Sequence, residues 1–484
     1  MTTKSDKLTM RWLVGVTLLA LVATAVSMIA AGQGQGGAGR GAQAGGYDDH
    51  QNMMDQLKIT ALRPGKSGSN QTGPGFELAS ANAMMSTLPD VLVFKNGTKV
   101  TTAAQWTQRR AEILEDFERE VYGRIPANVP KVTWTVTTSS TGTAGDVPTV
   151  TKVLQGAVDN SGYPELTVNI RATFTVPANA PGPVPVMIQF GGVGGSRGGA
   201  AAAGPAAGPA EGSWQLIAIR HGWGYGAIDP TSIQADAGGM AMRQGIIGLT
   251  NKGEPRKPDQ WGALRAWGWG VSRLIDYFET NPDSKVDPKK VATDGVSRYG
   301  KASIVAEAFE PRLAVALVAS SGEGGVKLHR HDFGEALENL TGGEYYWMAG
   351  NILKYGASAS EDGAKTAANL PVDSHQLIAL CAPRPVFISY GIEPGDPKWV
   401  DAPGSFMAGV LAGPVYKLLG KKDLGTPGNA LTDPMPPVNQ LIGGELAWRQ
   451  HSGGHTEQPN WPTFFEWVGN YIKSPAAPAA GARN

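Results

Sequence analysis

The 484-residue chain contains one cysteine, Cys381. A single thiol excludes an intramolecular disulfide framework, a cysteine-based zinc site and an iron–sulfur cluster. Net charge is missing too: 42 Lys and Arg balance 42 Asp and Glu. Without a basic footprint to neutralise phosphates, nucleic acid is excluded as a partner. No acidic block reads as a solvating tail. Beyond the first 31 residues no run is apolar enough to span a bilayer. Between residues 47 and 474 there is no long linker and no internal repeat. Abundance lies elsewhere, in 65 Gly and 34 Pro. These punctuate the chain into turns and ordered loops, where sites are usually built. With 41% hydrophobic residues and 13 Trp, a large core can form around them.

The two ends read differently from the middle. Lys4, Lys7 and Arg11 precede an apolar run over 12–31 that closes on Ala30, Ala31 and Gly32. That is a charged n-region, a hydrophobic h-region and a small-residue cleavage site, so residues 1–31 are expected to be a signal peptide. An uncleaved membrane anchor is the alternative, and both place the folded part outside the cytoplasm. Residues 32–48 form a Gly-rich flexible linker, 49–474 one catalytic domain, and 475–484 a disordered tail. The expected location is the periplasm or medium of a bacterium, with no membrane association of the mature protein.

Strand patterns are expected over 132–138, 166–175, 184–190 and 214–219, separated by Pro/Gly turns. Helix and strand signals then alternate: a helix over 261–278, a short strand over 291–293, a helix over 299–309, and buried strands over 314–319 and 386–389. Another strand is expected over 445–451 and a closing helix over 464–472. Such alternation implies an α/β fold, a mostly parallel central sheet covered by helices on both faces.

Gly295-Val296-Ser297-Arg298-Tyr299-Gly300 lies between the strand ending in Thr293-Asp294 and the helix that follows. A serine on such a strand-to-helix turn is the nucleophile elbow of hydrolases, here with its second glycine one place late. Arg298 either donates to an oxyanion beside the backbone N–H groups or forms a surface ion pair. The base should come late in the chain. His451 and His455 flank two glycines before the final helix; His455, further into the loop, is the candidate, and a zinc pair from the two is disfavoured by Gly453 and Gly454. The acid should lie in the loop after the strand over 386–389, where Glu393, Asp396 and Asp401 are available. Asp396 sits at the turn between Gly395 and Pro397 and is preferred; Asp401 suits a helix cap.

Taken with Lys301, the run Gly295-Val296-Ser297-Arg298-Tyr299-Gly300-Lys301 resembles the nucleophile motif of the glucuronoyl esterases, carbohydrate esterase family 15. Further similar blocks lie at 320–325, 329–351, 373–385, 399–406, 413–425 and 449–455. The resemblance implies an α/β-hydrolase fold, a three-layer α/β/α sandwich. It implies Ser297 as nucleophile, His455 as base, Arg298 as oxyanion arginine, Lys301, Glu338 and Glu344 as contacts to sugar hydroxyls, and Trp399 as a stacking face. One departure matters. Many members carry the acid where this chain has Ser320, and a hydroxyl cannot replace a carboxylate as imidazole partner. The later loop must then supply it, which again favours Asp396, with Glu323 a weaker substitute.

The implied activity is serine esterase hydrolysis of (4-O-methyl-)glucuronate esters, as in lignin–glucuronoxylan cross-links. An O-acetyl esterase on the same triad and a non-catalytic carbohydrate-binding protein are the competing readings. No cofactor and no metal is expected, and the chain is expected to be a monomer. The glycine run over 191–199 lacks a dinucleotide-binding context and reads as a loop bordering the oxyanion site.

Overall fold

The computed structural model describes residues 46–475, apart from 74, 128 and 192–207. The expected signal peptide, most of the expected linker and tail, and nearly all of the glycine run over 191–199 lie outside the described residues. Asp48, at the end of the segment read as linker, caps the helix Asp49–Gln56 through its side chain.

Twelve strands are described. β1 (Ile59–Leu62) and β9 (Ala357–Ser360) form a small antiparallel pair. The other ten make one sheet: β2 (Val132–Ala144), β3 (Val147–Val158), β4 (Asn169–Pro177), β5 (Val184–Phe190) and β6 (Gly224–Ile228). They are joined by β7 (Val286–Val296), β8 (Leu313–Ala319), β10 (Val386–Tyr390), β11 (Leu441–Gly443) and β12 (Leu446–Gln450). Their order is β11-β12-β10-β8-β7-β5-β6-β4-β3-β2. The six strands from β12 to β6 run parallel, and antiparallel strands extend the sheet at both edges.

Side chains alternate across a strand, so a sheet covered on both faces must be apolar at every position. Val186 and Ile188 accordingly join one core, with Val318 and Ile388, while Met187, Leu317 and Phe387 join a second. The first is covered by helices Ala263–Thr280, Arg298–Phe309, Ser374–Cys381 and Ala402–Leu418. The second is covered by Trp214–Arg220 and Trp461–Val468, whose Trp214 and Trp461 rings stack 4.7 Å apart. This is the three-layer α/β-hydrolase sandwich. Among the described residues no helix is long and apolar enough to cross a membrane.

The expected strand over 214–219 is a helix. A short apolar run carries no period that separates a buried strand from a buried helix. What decides it is the Ser213 hydroxyl, which accepts the Leu216 N–H as an N-cap. The strand of that region is β6, which begins three residues after the helix C-cap His221 and whose glycines weaken a strand pattern. Gly226 is required because a Cβ there would lie 2.4 Å from the Thr173 carbonyl of β4. The closing helix begins and ends earlier than expected, at Trp461–Val468.

Trp461 is 1% exposed and bridges Trp214 and Phe465. Trp461→Ala should lower unfolding stability by about 3–5 kcal/mol, read from chemical denaturation.

Candidate active site

Four adjacent parallel strands, β7, β8, β10 and β12, end on the same edge of the sheet, and the segment after each carries a residue of the site. Ser297 follows β7 and caps the helix Arg298–Phe309 with φ 62° and ψ −130°. A non-glycine residue at positive φ is strained, and the flanking packing must impose it. Its N–H donates to the Ala319 carbonyl at the end of β8 (3.0 Å), and its carbonyl accepts the Lys301 N–H (3.0 Å). The glycines explain themselves here. A Cβ on Gly295 would lie 2.3 Å from the Tyr299 carbonyl oxygen, and one on Gly300 would lie 2.6 Å from that of Ala319. The late second glycine is therefore where the helix crosses the end of β8.

Ser320 follows β8, also at positive φ (42°). Its hydroxyl donates to Asp396 Oδ2 at 2.6 Å. Asp396 lies in the loop after β10 and is 3% exposed; the Gly391 N–H donates to the same oxygen at 2.7 Å. Its other oxygen, Oδ1, meets His455 Nδ1 at 2.7 Å. His455 comes from the loop after β12, and its N–H donates to the Gly395 carbonyl. The two loops approach closely because both are glycine-rich: a Cβ on Gly391 would lie 2.4 Å from the Gly454 carbonyl oxygen.

The other carboxylates have different work. Asp401 caps the helix Ala402–Leu418 through the Gly404 N–H and holds His331 Nδ1 at 2.6 Å. Glu393 faces solvent beside Lys398. Glu323 is fully buried between Lys327 and His329. His451 is buried, its Nδ1 accepting the Gly453 N–H, so the two loop histidines do not converge.

Arg298 directs Nη1 to Asp236 Oδ2 at 2.5 Å, with its guanidinium 5.7 Å from the centre of the Trp347 ring. Trp347 Nε1 and the Tyr346 hydroxyl donate to the other Asp236 oxygen, at 2.7 and 3.2 Å. Arg298 therefore forms an ion pair, and an aromatic wall orients it beside the serine. Lys301 is 2% exposed, donates to the Ser321 carbonyl (2.7 Å) and Glu335 Oε2 (3.0 Å), and lies 5.4 Å from the same Trp347 ring. Glu344 adjoins this cluster. Burial, and then the Glu335 charge, push its carboxyl well above the usual carboxylate range, opposed by Lys301.

Glu338 stands apart. It pairs with Arg63 at 3.0 Å, and Glu335, three residues earlier, occupies the place beside Lys301. Trp399 fixes that place through its backbone: its carbonyl accepts the Glu335 N–H, while its indole lies against Gly68. Asp236, Glu335 and Trp347 escaped the sequence reading. Glu335 sits in a block quoted there, but nothing in spacing separates it from Glu338. Asp236 lies in coil with no motif around it.

The family described as glucuronyl esterase, fungi, matches over residues 256–420. A carbohydrate esterase from an unknown prokaryotic organism is 30% identical over 426 residues, 82% of this chain and 92% of that protein. The 4-O-methyl-glucuronoyl methylesterase 1 of Wolfiporia cocos is 30% identical, covering 69% of this chain and 73% of its own. Among solved structures, a CE15 glucuronoyl esterase from Teredinibacter turnerae superposes with a TM-score of 0.76 at 35% identity, over 87% of this chain and 98% of that one. A glucuronoyl esterase from Solibacter usitatus gives 0.65 at 31% identity, over 79% and 97%.

Removing the Asp396 charge while keeping its shape should leave His455 in the wrong tautomer. Asp396→Asn is expected to lower kcat by about four orders of magnitude. Asp401→Asn should instead lower the unfolding midpoint, through His331 and the helix cap, and keep kcat within about tenfold. Equal kcat losses in the two variants would contradict this division of roles.

Proposed function

Because the chain belongs to carbohydrate esterase family 15, the glucuronoyl esterases, we propose that Ser297, His455 and Asp396 hydrolyse esters of the glucuronic acid carboxyl group. The observation that carries the assignment is the hydrogen-bonded row His455–Asp396–Ser320, with Ser297 held to the neighbouring Ala319.

His455 takes the proton of the Ser297 hydroxyl as its oxygen attacks the ester carbonyl carbon. Asp396, bonded to Nδ1, fixes the imidazole tautomer so that the other ring nitrogen is the base, and stabilises the imidazolium that forms. The tetrahedral oxyanion faces the N–H groups at the start of the helix Arg298–Phe309 and the Arg298 guanidinium, which Asp236 and Trp347 hold in place. Collapse breaks the ester bond, and His455 returns the proton to the departing alcohol. Water, giving a proton to His455, then attacks the acyl carbon of the glucuronoyl-serine; the bond to the serine oxygen breaks, His455 returns the proton to that oxygen, and glucuronate leaves.

Lys301, Glu335 and Glu344 supply charged donors and acceptors one helical turn from the serine, which suits recognition of sugar hydroxyls. We assign Trp399 to the wall of the same subsite, and Glu338 to orienting Arg63, which holds the carbonyls of Tyr355, Ala357 and Lys365. The proposed natural substrate is the ester between 4-O-methyl-glucuronate on xylan and a lignin alcohol. No resident cofactor is needed for any step. We place the enzyme in the periplasm or medium, on the charge and hydropathy of residues 4–31.

Ser297→Ala should reduce hydrolysis of benzyl or methyl glucuronate at least about a thousandfold and abolish labelling by a fluorophosphonate. Preference for acetylated xylan over methyl glucuronate would overturn the substrate assignment. In fractionated cells, the full-length chain should be found outside the cytoplasm and shortened near residue 31.

A further inference from the structure

Within the central strands β5, β7 and β8, the face of the sheet covered by helix Trp461–Val468 is apolar over the paired stretch except at one place. Across β5, β7 and β8 the register puts Met187 beside Ala292, and Ala292 beside Val315, all apolar. One step toward the site, on the same face, stand Gln189, Asp294 and Leu317. Two polar side chains thus interrupt a hydrophobic layer three residues before the nucleophile. Gln189 Nε2 donates to Asp294 Oδ2 at 2.8 Å and reaches Glu457 Oε1 at 3.4 Å. Glu457 lies two residues after His455 and is 7% exposed; Asp294 is fully buried. Asp294 Oδ1 has no hydrogen-bond partner among the described residues.

We propose that Gln189, Asp294 and Glu457 are positioning residues for ester hydrolysis, a buried pin that ties the histidine loop to the nucleophile strand and keeps His455 in register with Ser297. The geometry favours this over a merely structural role. One amide bridges the two elements that carry the nucleophile and the base, and an apolar residue at Asp294 would suit the layer better for stability alone. Burial, and then the Glu457 charge, push the Asp294 carboxyl well above the usual carboxylate range. An asparagine at this position keeps an oxygen that can accept the Gln189 amide hydrogen.

The inference rests on Ser297 and His455 being the reacting pair. The test measures kcat and KM on methyl glucuronate at pH 7 for Asp294→Leu and Asp294→Asn, with thermal unfolding as the control for folding. Misplacing the base should lower kcat of Asp294→Leu on the order of ten- to hundredfold while KM stays within about twofold. Asp294→Asn should recover most of that loss. A kcat near wild type in Asp294→Leu, a loss confined to KM, or equal losses in the two variants would overturn the pin. Should Asp294→Leu fail to fold, Glu457→Ala and its rescue by Glu457→Gln decide by the same criteria. Wild-type kcat in Asp294→Leu with a dead Ser297→Ala overturns the pin alone; activity surviving in Ser297→Ala overturns the serine assignment with it.

Discussion

The Asp396 carboxylate is where three strand ends meet. It takes His455 from beyond β12, Ser320 from beyond β8, and the Gly391 N–H from the start of its own loop after β10. A buried carboxylate needs its lone pairs satisfied, and each partner here comes from a different segment of chain. The charge therefore cannot be stably placed unless the strands have assembled in order. Parallel strands force that arrangement, because they bring all the connecting loops that follow them to one edge of the sheet. Ser320 acquires a role in this way. From the end of β8 its hydroxyl supports the carboxylate that the next loop carries.

A second constraint is the crowding around the serine. Gly295, Gly300 and the Gly391–Gly454 contact each remove a Cβ that would meet backbone at 2.3–2.6 Å. Such close approach sets the strained geometry of Ser297 and lets the helix cross β8 within hydrogen-bond distance. Rigid packing makes the strain tolerable, since the elbow cannot relax without displacing the buried strand ends. Beside it, Asp236 and Trp347 hold one cation, and Glu335 holds the other. Arg298 and Lys301 thus share one aromatic ring while pairing with separate carboxylates, which keeps two positive charges close together in a partly buried site.

Much of this was legible in the residues. The elbow reads from glycine spacing between a strand and a helix, and the late glycine has the steric reason just given. His455 and the loop that carries Asp396 follow from chain order. The ion pair of Arg298 was one of two readings of that residue, and it coexists with a place beside the serine. Less legible were the segments in which short apolar runs decide nothing. Residues 214–219 became a helix because of one capping hydroxyl, and β3 and β6 were hidden by threonine and glycine content. Glu335 and Glu338 differ by less than one helical turn, yet only one of them faces Lys301.

The sequence by itself determined the local chemistry: which backbone can bend at Gly295, which segments bury both faces, and which side chains are able to carry a proton or a charge. Those properties depend on a residue and its near neighbours, so they can be read along the chain. The tertiary structure alone decided the pairings. That Asp396 rather than Asp401 meets His455, that Glu335 rather than Glu338 meets Lys301, and that Gln189 reaches both Asp294 and Glu457 all depend on strand order. Strand order is set by the summed burial of the whole sheet, and no local stretch of residues contains it.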